Sequence, residues 1–315
     1  MSTLSKELAR YLGIRRGLGY KLRTTERILR RFVAFAERRG ADHVTAGLFL
    51  RWQETIGPAA PQTRAGHLGT VRPFAAWLHS LDPAHEALPS SLIPSRRRRS
   101  LPHIYSAADI QRIVEAAAAL PSANGIRPLS CGALFGLLAV TGMRVSEALA
   151  LDAGDVDLEA GVLTVRRDKL GKSRLLPLSG STMAHLAAYT AERDRLLGYR
   201  SEAFFVSDRG ERMTDCSARY NFAMVCQRIG LRPATKFNRH GRGPRIHDLR
   251  HSFAVRTLID WYRSGKDPAR EMLKLSTYLG HADPANTYWY IEAVPELLEL
   301  ASRRATGSLA GEVRR

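Results

Sequence analysis

The chain has 315 residues, with 48 Lys or Arg against 30 Asp or Glu, so its formal net charge is +18 and its pI about 10.5. At 44% hydrophobic residues the composition is globular, which excludes a disordered or fibrous protein. No run reaches the roughly 18 apolar residues of a membrane span, and the first residues lack a signal-peptide pattern. A protein without a membrane partner, soluble and cytoplasmic, is expected. Such a charge calls for a polyanion, and nucleic acid leads because each cation seated on a phosphate releases counterions. Cys131, Cys216 and Cys226 are odd in number and lack C-x-x-C spacing, so neither a disulfide framework nor a structural zinc site is predicted.

In chain order, the first 80 residues read as helical. Thr24 or Thr25 is a candidate cap for a helix with an apolar face of Ile28, Leu29, Phe32, Val33 and Phe35, bordered by Arg27, Arg30, Arg31, Arg38 and Arg39. A second helix is predicted from Thr45 to Ile56 through Leu48, Leu50 and Trp52. A third runs from Gln62 to His79 through Leu68, Val71, Phe74, Trp77 and Leu78. From Asp82 to Pro102, four prolines forbid a continuous helix, and Arg96, Arg97, Arg98 and Arg99 make this stretch attractive to phosphate. The predicted organisation is a helical domain over 1–90, a basic linker over 91–102 and a second domain over 103–315.

The second domain reads as mixed. Ser106 and Asp109 form a capping box ahead of a helix to Leu120, and Leu129 to Thr141 is a nearly all-apolar, buried helix. Val162–Val165 and Leu175–Leu178 are β-type runs, predicting a hairpin whose tip carries Lys169 and Lys172. Helices follow at Ser181–Leu197, Asp215–Ile229, His247–Arg263, Pro268–Tyr278 and from Pro284 past Leu300. The segment from Arg232 to Arg245 is rich in Arg, Gly, Asn and His, as a DNA-contacting loop or an insertion would be.

Three short motifs could carry chemistry. In His247-Asp248-Leu249-Arg250-His251, helical spacing puts two imidazoles and a guanidinium on one face. Two His at i and i+4 also have zinc-ligand spacing, but a permanent cation on that face opposes a metal, and a phosphate suits Arg and His better. In Thr141-Gly142-Met143-Arg144-Val145-Ser146-Glu147, Gly142 is placed to end a helix left-handed, with Arg144 in the first turn of the next and Glu147 placed to hold either its guanidinium or a neighbouring His. In Leu279-Gly280-His281, Gly280 ends a helix, and Tyr288 and Tyr290 follow about 200° apart, so one of them faces a given site.

Together these residues resemble the tyrosine recombinases of the phage integrase type. That family's pattern is an Arg in T-G-x-R-x-S-E, a Lys on a β-hairpin, H-x-L-R-H, L-G-H, and a Tyr nine residues beyond the last His. Here it is matched at 141–147, at the hairpin K-L-G-K-S-R of 169–174, at 247–251 and at 279–281, and the ninth residue after His281 is Tyr290. The resemblance implies a mainly α fold with a small β-sheet, in which an N-terminal helical core-binding domain precedes an α+β catalytic domain. It implies a nucleophilic Tyr290 forming a 3′-phosphotyrosyl link to DNA, with Arg144 and Arg250 on the scissile phosphate. His247 would be proton acceptor or phosphate ligand, and His281 a further phosphate ligand. Lys169 would protonate the leaving 5′-oxygen, with Lys172 as the alternative. Glu147 and His251 would support these groups, and Arg96 to Arg99 with Arg174 would contact DNA.

No cofactor and no metal are implied. The implied partners are double-stranded recombination sites and further subunits, either a homotetramer on synapsed DNA or a hetero-oligomer with related recombinases, and the implied location is the nucleoid. A non-catalytic DNA-binding protein, a zinc hydrolase and a type IB topoisomerase-like enzyme remain the competing readings.

Overall fold

The computed structural model describes residues 3–94, 101–166, 173–233, 243–280 and 285–312; the side chains of 268–269, 285–286, 292–293 and 304–312 are not described. The chain divides into two compact units, Met1–Ser100 and Leu101–Arg315. Among the described residues no helix is long and apolar enough to cross a membrane.

The first unit is a bundle of α1 (Thr3–Gly17), α2 (Arg23–Arg38), α3 (Ala46–Glu54) and α4 (Pro61–Leu81). The sequence pattern delimits only the last three; α1 adds Leu4, Leu8, Tyr11 and Leu12 to the core. Phe32 meets Trp52 edge-on with ring centroids 5.2 Å apart, and Tyr11 packs on Phe74 at the same distance. Thr45 caps α3 as expected, its side chain accepting from the Leu48 amide. Neither Thr24 nor Thr25 caps α2: both lie inside its first turn, after a left-handed Leu22 with φ 45° and no side-chain cap. Of the apolar residues named on that helix, Leu48 and Trp52 are buried and Leu50 is exposed. Arg23, Arg27, Arg30, Arg31, Arg38 and Arg39 all lie on the solvent side of this unit.

The second unit is mostly helical around a small antiparallel sheet. Ser106 and Asp109 close a reciprocal capping box at the start of α5 (Ala107–Ala118). The apolar helix α6 (Ile126–Thr141) runs through the centre, its buried side chains ringed by the rest of the core. It is followed by the short α7 (Val145–Leu149), then β1 (Val156–Asp157), β2 (Val162–Val165) and β3 (Arg174–Pro177). The strands lie in the order β1-β2-β3, with Leu163 opposite Leu176 and Val165 opposite Arg174. Strand β1 was not expected; two residues carry too little alternation to register. The helices α8 (Gly180–Leu197), α9 (Asp215–Arg228), α10 (Asp248–Arg263) and α11 (Pro268–Leu279) come next.

The single C-terminal helix expected from Pro284 is two helices, α12 (Ala285–Ala293) and α13 (Pro295–Glu312). Pro295 has no N–H to continue α12, and it suits the first position of a new helix. Leu297 of α13 is buried beside Val255 and Leu258 of α10, so this helix docks on its own chain.

Candidate functional site: arginines gathered at the end of one helix

The site is organised by helix ends. The last carbonyls of any α-helix lack intrahelical partners and carry partial negative charge, so cations seek them. At the end of α11 three consecutive carbonyls each receive a different arginine. Arg174 Nε donates to Tyr278 O at 2.9 Å, Arg250 Nη2 to Leu279 O at 2.8 Å, and Arg144 Nη2 to Gly280 O at 2.9 Å. Residues far apart in the sequence are thereby collected at the L-G-H motif.

Helix α6 supplies the second wall. It ends at Gly142, left-handed at φ 60°, whose amide donates to Leu138 O at 3.0 Å. A Cβ here would stand 2.4 Å from Phe253 Cδ1 and 3.2 Å from Leu279 Cδ2, so only glycine fits both the turn and the packing. The Gly142 carbonyl accepts from Arg250 Nη1 at 2.9 Å. Arg250 thus bridges the ends of α6 and α11 while buried to 3% exposure.

Arg144 is the N-cap of α7 rather than a residue of its first turn. Its amide donates to Glu147 Oε2 at 2.9 Å and its Nη1 to Glu147 Oε1 at 2.8 Å. Arg174 meets the same carboxylate as a fork, through Nη1 at 3.1 Å and Nη2 at 2.7 Å. A planar two-point contact of this kind fixes orientation as well as charge. Arg174, expected to contact DNA, has its side chain only 13% exposed and is engaged with Glu147 and Tyr278 O; it braces the start of β3 against the arginine cluster.

These surroundings move the titrating groups. Burial alone would raise the Glu147 carboxyl, but the hydrogen bonds and charges of Arg174 and Arg144 outweigh it and hold the pKa at about 2. Burial, reinforced by the Arg250 charge, pushes His247 down to about 4. Burial and the neighbouring Arg144 lower Arg250 to about 10, which leaves it charged at neutral pH.

Both acid-side shifts have the same sign. Glu147 is easier to protonate in the unfolded chain, near 4.5, so its stabilisation is complete above that pH and is lost as pH falls through about 2. His247 is also easier to protonate unfolded, near 6.5, so stability declines as pH drops from 6.5 to 4. Each contributes on the order of 2 kcal/mol. Denaturant unfolding from pH 7 to pH 2 is expected to show a decline that begins below 6.5 with His247 and continues below 4.5 with Glu147, and His247→Gln is expected to remove the upper part.

The third component is on α10 and α12. His251 Nδ1 lies 2.8 Å from Tyr290 Oη, with ring centroids 5.4 Å apart. Tyr290 is 1% exposed, whereas Tyr288 is 47% exposed on the other side of α12. The ring of His247 packs edge-on against that of His251 at 4.8 Å. So the face expected to carry His247, Arg250 and His251 together is split: the imidazoles pair, and the guanidinium turns to the helix ends. Among the described residues no three His, Cys, Asp or Glu side chains are grouped to hold a metal ion. Lys169 and Lys172 (within 167–172), His281 (within 281–284) and Arg96 to Arg99 (within 95–100) lie outside the described residues, as does 234–242 of the Arg-rich segment.

A compact cluster of arginines at the end of α11 thus lies with a tyrosine and histidine paired across α10 and α12. The Phage integrase family model matches residues 105–296, and the chain belongs to that family, the tyrosine recombinases, which break and rejoin DNA. It is 42% identical over 309 residues to y4rB of Sinorhizobium fredii (strain NBRC 101917 / NGR234), whose name marks it provisionally as an integrase/recombinase; the match covers 96% of this chain and 97% of that protein. It is 31% identical over 301 residues to the tyrosine recombinase XerC of Rhodospirillum centenum (strain ATCC 51521 / SW), covering 92% of this chain and 82% of that one. In fold it is similar to the Tn1549 transposon integrase in complex with transposon right end DNA, with a TM-score of 0.63 and 15% identity, covering 92% of this chain and 94% of the integrase.

Proposed function

We propose that this chain is a site-specific recombinase in which Tyr290 is the nucleophile. Its Oη attacks a DNA phosphodiester, the P–O5′ bond breaks, and a 3′-phosphotyrosyl link forms as the 5′-hydroxyl departs. A 5′-hydroxyl from another strand then attacks the same phosphorus, displacing Tyr290 and completing the exchange. The covalent link conserves the bond energy, so each step is reversible and no nucleotide is consumed.

The observation that carries this reading is the placement of Tyr290 Oη on His251, on the helix α12 that follows the arginine-bound end of α11. Negative charge builds on the phosphate oxygens in the transition state, and fixed cations stabilise it there without reorganising. Arg144 and Arg250 take that role: Arg144 is held by the Glu147 carboxylate and the Gly280 carbonyl, and Arg250 by the carbonyls of Gly142 and Leu279, which orients each guanidinium before DNA arrives. Glu147 and Arg174 position Arg144 and do not touch the substrate. His247 and His281 are the further phosphate ligands. Lys169, or Lys172 in its place, delivers the proton to the leaving 5′-oxygen.

The helical unit Met1–Ser100 is the core-binding domain, gripping the duplex through the exposed arginines of α2, and Arg96 to Arg99 follow the backbone next to it. The active form is an oligomer on double-stranded sites, a homotetramer or an assembly with related recombinases, acting in the cytoplasm at the nucleoid.

The test is covalent capture on a nicked duplex whose cleaved end diffuses away. A protein–DNA adduct that survives boiling in detergent is expected, with formation unchanged by excess chelator. A non-catalytic DNA-binding protein gives no adduct. Chelator-sensitive cleavage would instead indicate a metal hydrolase.

A further inference from the structure

The proton of Tyr290 has to go somewhere before its oxygen can bond to phosphorus, because a neutral phenol, with an ordinary pKa of about 10, is a poor nucleophile. The residue that the family resemblance would use is His247. The geometry assigns the task elsewhere.

We propose that His251 is the general base, taking the phenolic proton of Tyr290 directly through Nδ1; this rests on the reading of Tyr290 as nucleophile. Distance comes first: a base must lie within hydrogen-bond reach of the proton it removes. Nδ1 of His251 is 2.8 Å from Oη. The two groups sit on different helices, α10 and α12, and the contact orders both side chains before DNA is present. A hydrogen bond to the nucleophile is not needed for packing here, since the Tyr290 ring already lies among Val255, Leu258, Leu275 and Leu279.

The charges around the pair favour the transfer. Arg250 acts electrostatically on Tyr290, so a developing phenolate faces a guanidinium. From α10, His247 and Arg250 stand beside His251; from α12, Tyr290 and the half-buried Trp289 pack on it, the Trp289 ring 5.8 Å from the imidazole. His247 is an inferior acceptor, being held neutral by burial and Arg250. It serves instead as the edge-on support of the His251 ring and as a neutral donor to phosphate. The proposed transfer uses the tautomer of His251 that carries its hydrogen on Nε2, so that Nδ1 accepts from Oη–H.

The step balances. As Oη bonds to phosphorus, its proton moves to Nδ1 and His251 becomes imidazolium. The P–O5′ bond breaks, and the 5′-oxygen takes its proton from the general acid. On religation the incoming 5′-hydroxyl gives up its proton to that acid's conjugate base, Oη leaves, and Nδ1–H returns its proton to the phenol. The same imidazole therefore serves as acid in the second step.

The experiment measures adduct formation on a nicked duplex recovered from a randomised library by covalent capture on the unmodified protein. General-base catalysis contributes about 100-fold or more, so His251→Ala is expected to slow the adduct by about 100-fold at pH 7 while intact-duplex binding stays unchanged. The deficit is expected to shrink steadily toward about pH 9.5, where the phenol begins to ionise unaided. Replacing Tyr290 by the more acidic 3,5-difluorotyrosine is expected to rescue the His251→Ala rate but not a His247→Ala rate. Should the alanine variant unfold, His251→Asn keeps a polar atom near Oη that cannot hold a proton, and the same pH and fluorotyrosine responses are expected of it. A wild-type rate in the His251 variants, or a deficit indifferent to pH and to difluorotyrosine, overturns the proposal. Tyr290→Phe is the parallel control: an adduct in that variant removes the nucleophile reading itself, whereas silence there beside unaffected His251 variants removes only the role of His251.

Discussion

Replacing Tyr290 with Phe is expected to abolish the covalent adduct while DNA binding persists, whereas Tyr288→Phe leaves adduct formation within about twofold of the parent. The expectation follows from where α12 places the two rings. Tyr290 faces inward, with its hydroxyl on His251, and Tyr288 faces solvent. Phe keeps the buried ring and its packing, so the variant loses the hydroxyl and with it the hydrogen bond to His251, worth about 1 kcal/mol of stability. The chemistry loses its only proposed covalent partner, so the effect on adduct formation is total. A gel assay after detergent denaturation, beside a filter-binding measurement on intact duplex, separates the two quantities. Adduct surviving in Tyr290→Phe and vanishing in Tyr288→Phe would move the nucleophile to the exposed face.

The second large effect is at Arg250. Its guanidinium satisfies the carbonyls of Gly142 and Leu279 in a site where water has little access. Arg250→Ala strands both acceptors, and an unsatisfied buried polar group costs about 1–3 kcal/mol. A stability loss of about 3 kcal/mol is expected by denaturant titration, together with a loss of adduct of about 100- to 1,000-fold, the range found when one fixed donor facing transition-state charge is removed. Arg250→Lys distinguishes charge from shape. An ammonium is a compact point charge that does not reproduce the planar fork across two carbonyls. It is expected to recover part of the stability and little of the activity, with duplex binding reduced only modestly because one phosphate among many is affected. Equal losses of binding and adduct formation would mean that Arg250 serves grip rather than catalysis.

The arginine cluster also explains which parts of the site were legible in the sequence. Gly142 could be read because a left-handed helix end has a residue signature. Glu147 could be read because it stands three residues from Arg144, within reach on one turn. The family resemblance already brings Arg144 and Arg250 to one phosphate, but that Arg174 joins them at the carbonyls of Tyr278, Leu279 and Gly280 could not be read. Main-chain acceptors carry no side-chain signature, and they come into reach only once α11 has packed. For the same reason Arg174 is grouped with the DNA-contacting arginines in the sequence; its inward turn depends on Glu147, 27 residues away.

In the fold, strong local signals held and weak ones did not. The capping box at Ser106 and the Thr45 cap form as their side chains dictate. The start of α2 is set instead by the backbone of Leu22, which no capping side chain announces. The division between α12 and α13 was available in Pro295, but the apolar residues on both sides disguise it as one long helix. The pairing of His251 with Tyr290 joins residues 39 apart on separate helices, a relation that local spacing does not encode.

In the proposed reaction a single tyrosine, Tyr290, carries the DNA. The most direct measurement is to trap the adduct on a nicked duplex, digest both components, and locate the residual nucleotide by fragmentation mass spectrometry within the tryptic peptide from Leu275 to Arg303, which holds Tyr278, Tyr288 and Tyr290. The nucleotide is expected on Tyr290 alone, joined through a 3′-phosphate. A nucleotide on Tyr288 or Tyr278, or a 5′-phosphate linkage, would contradict the proposed reaction.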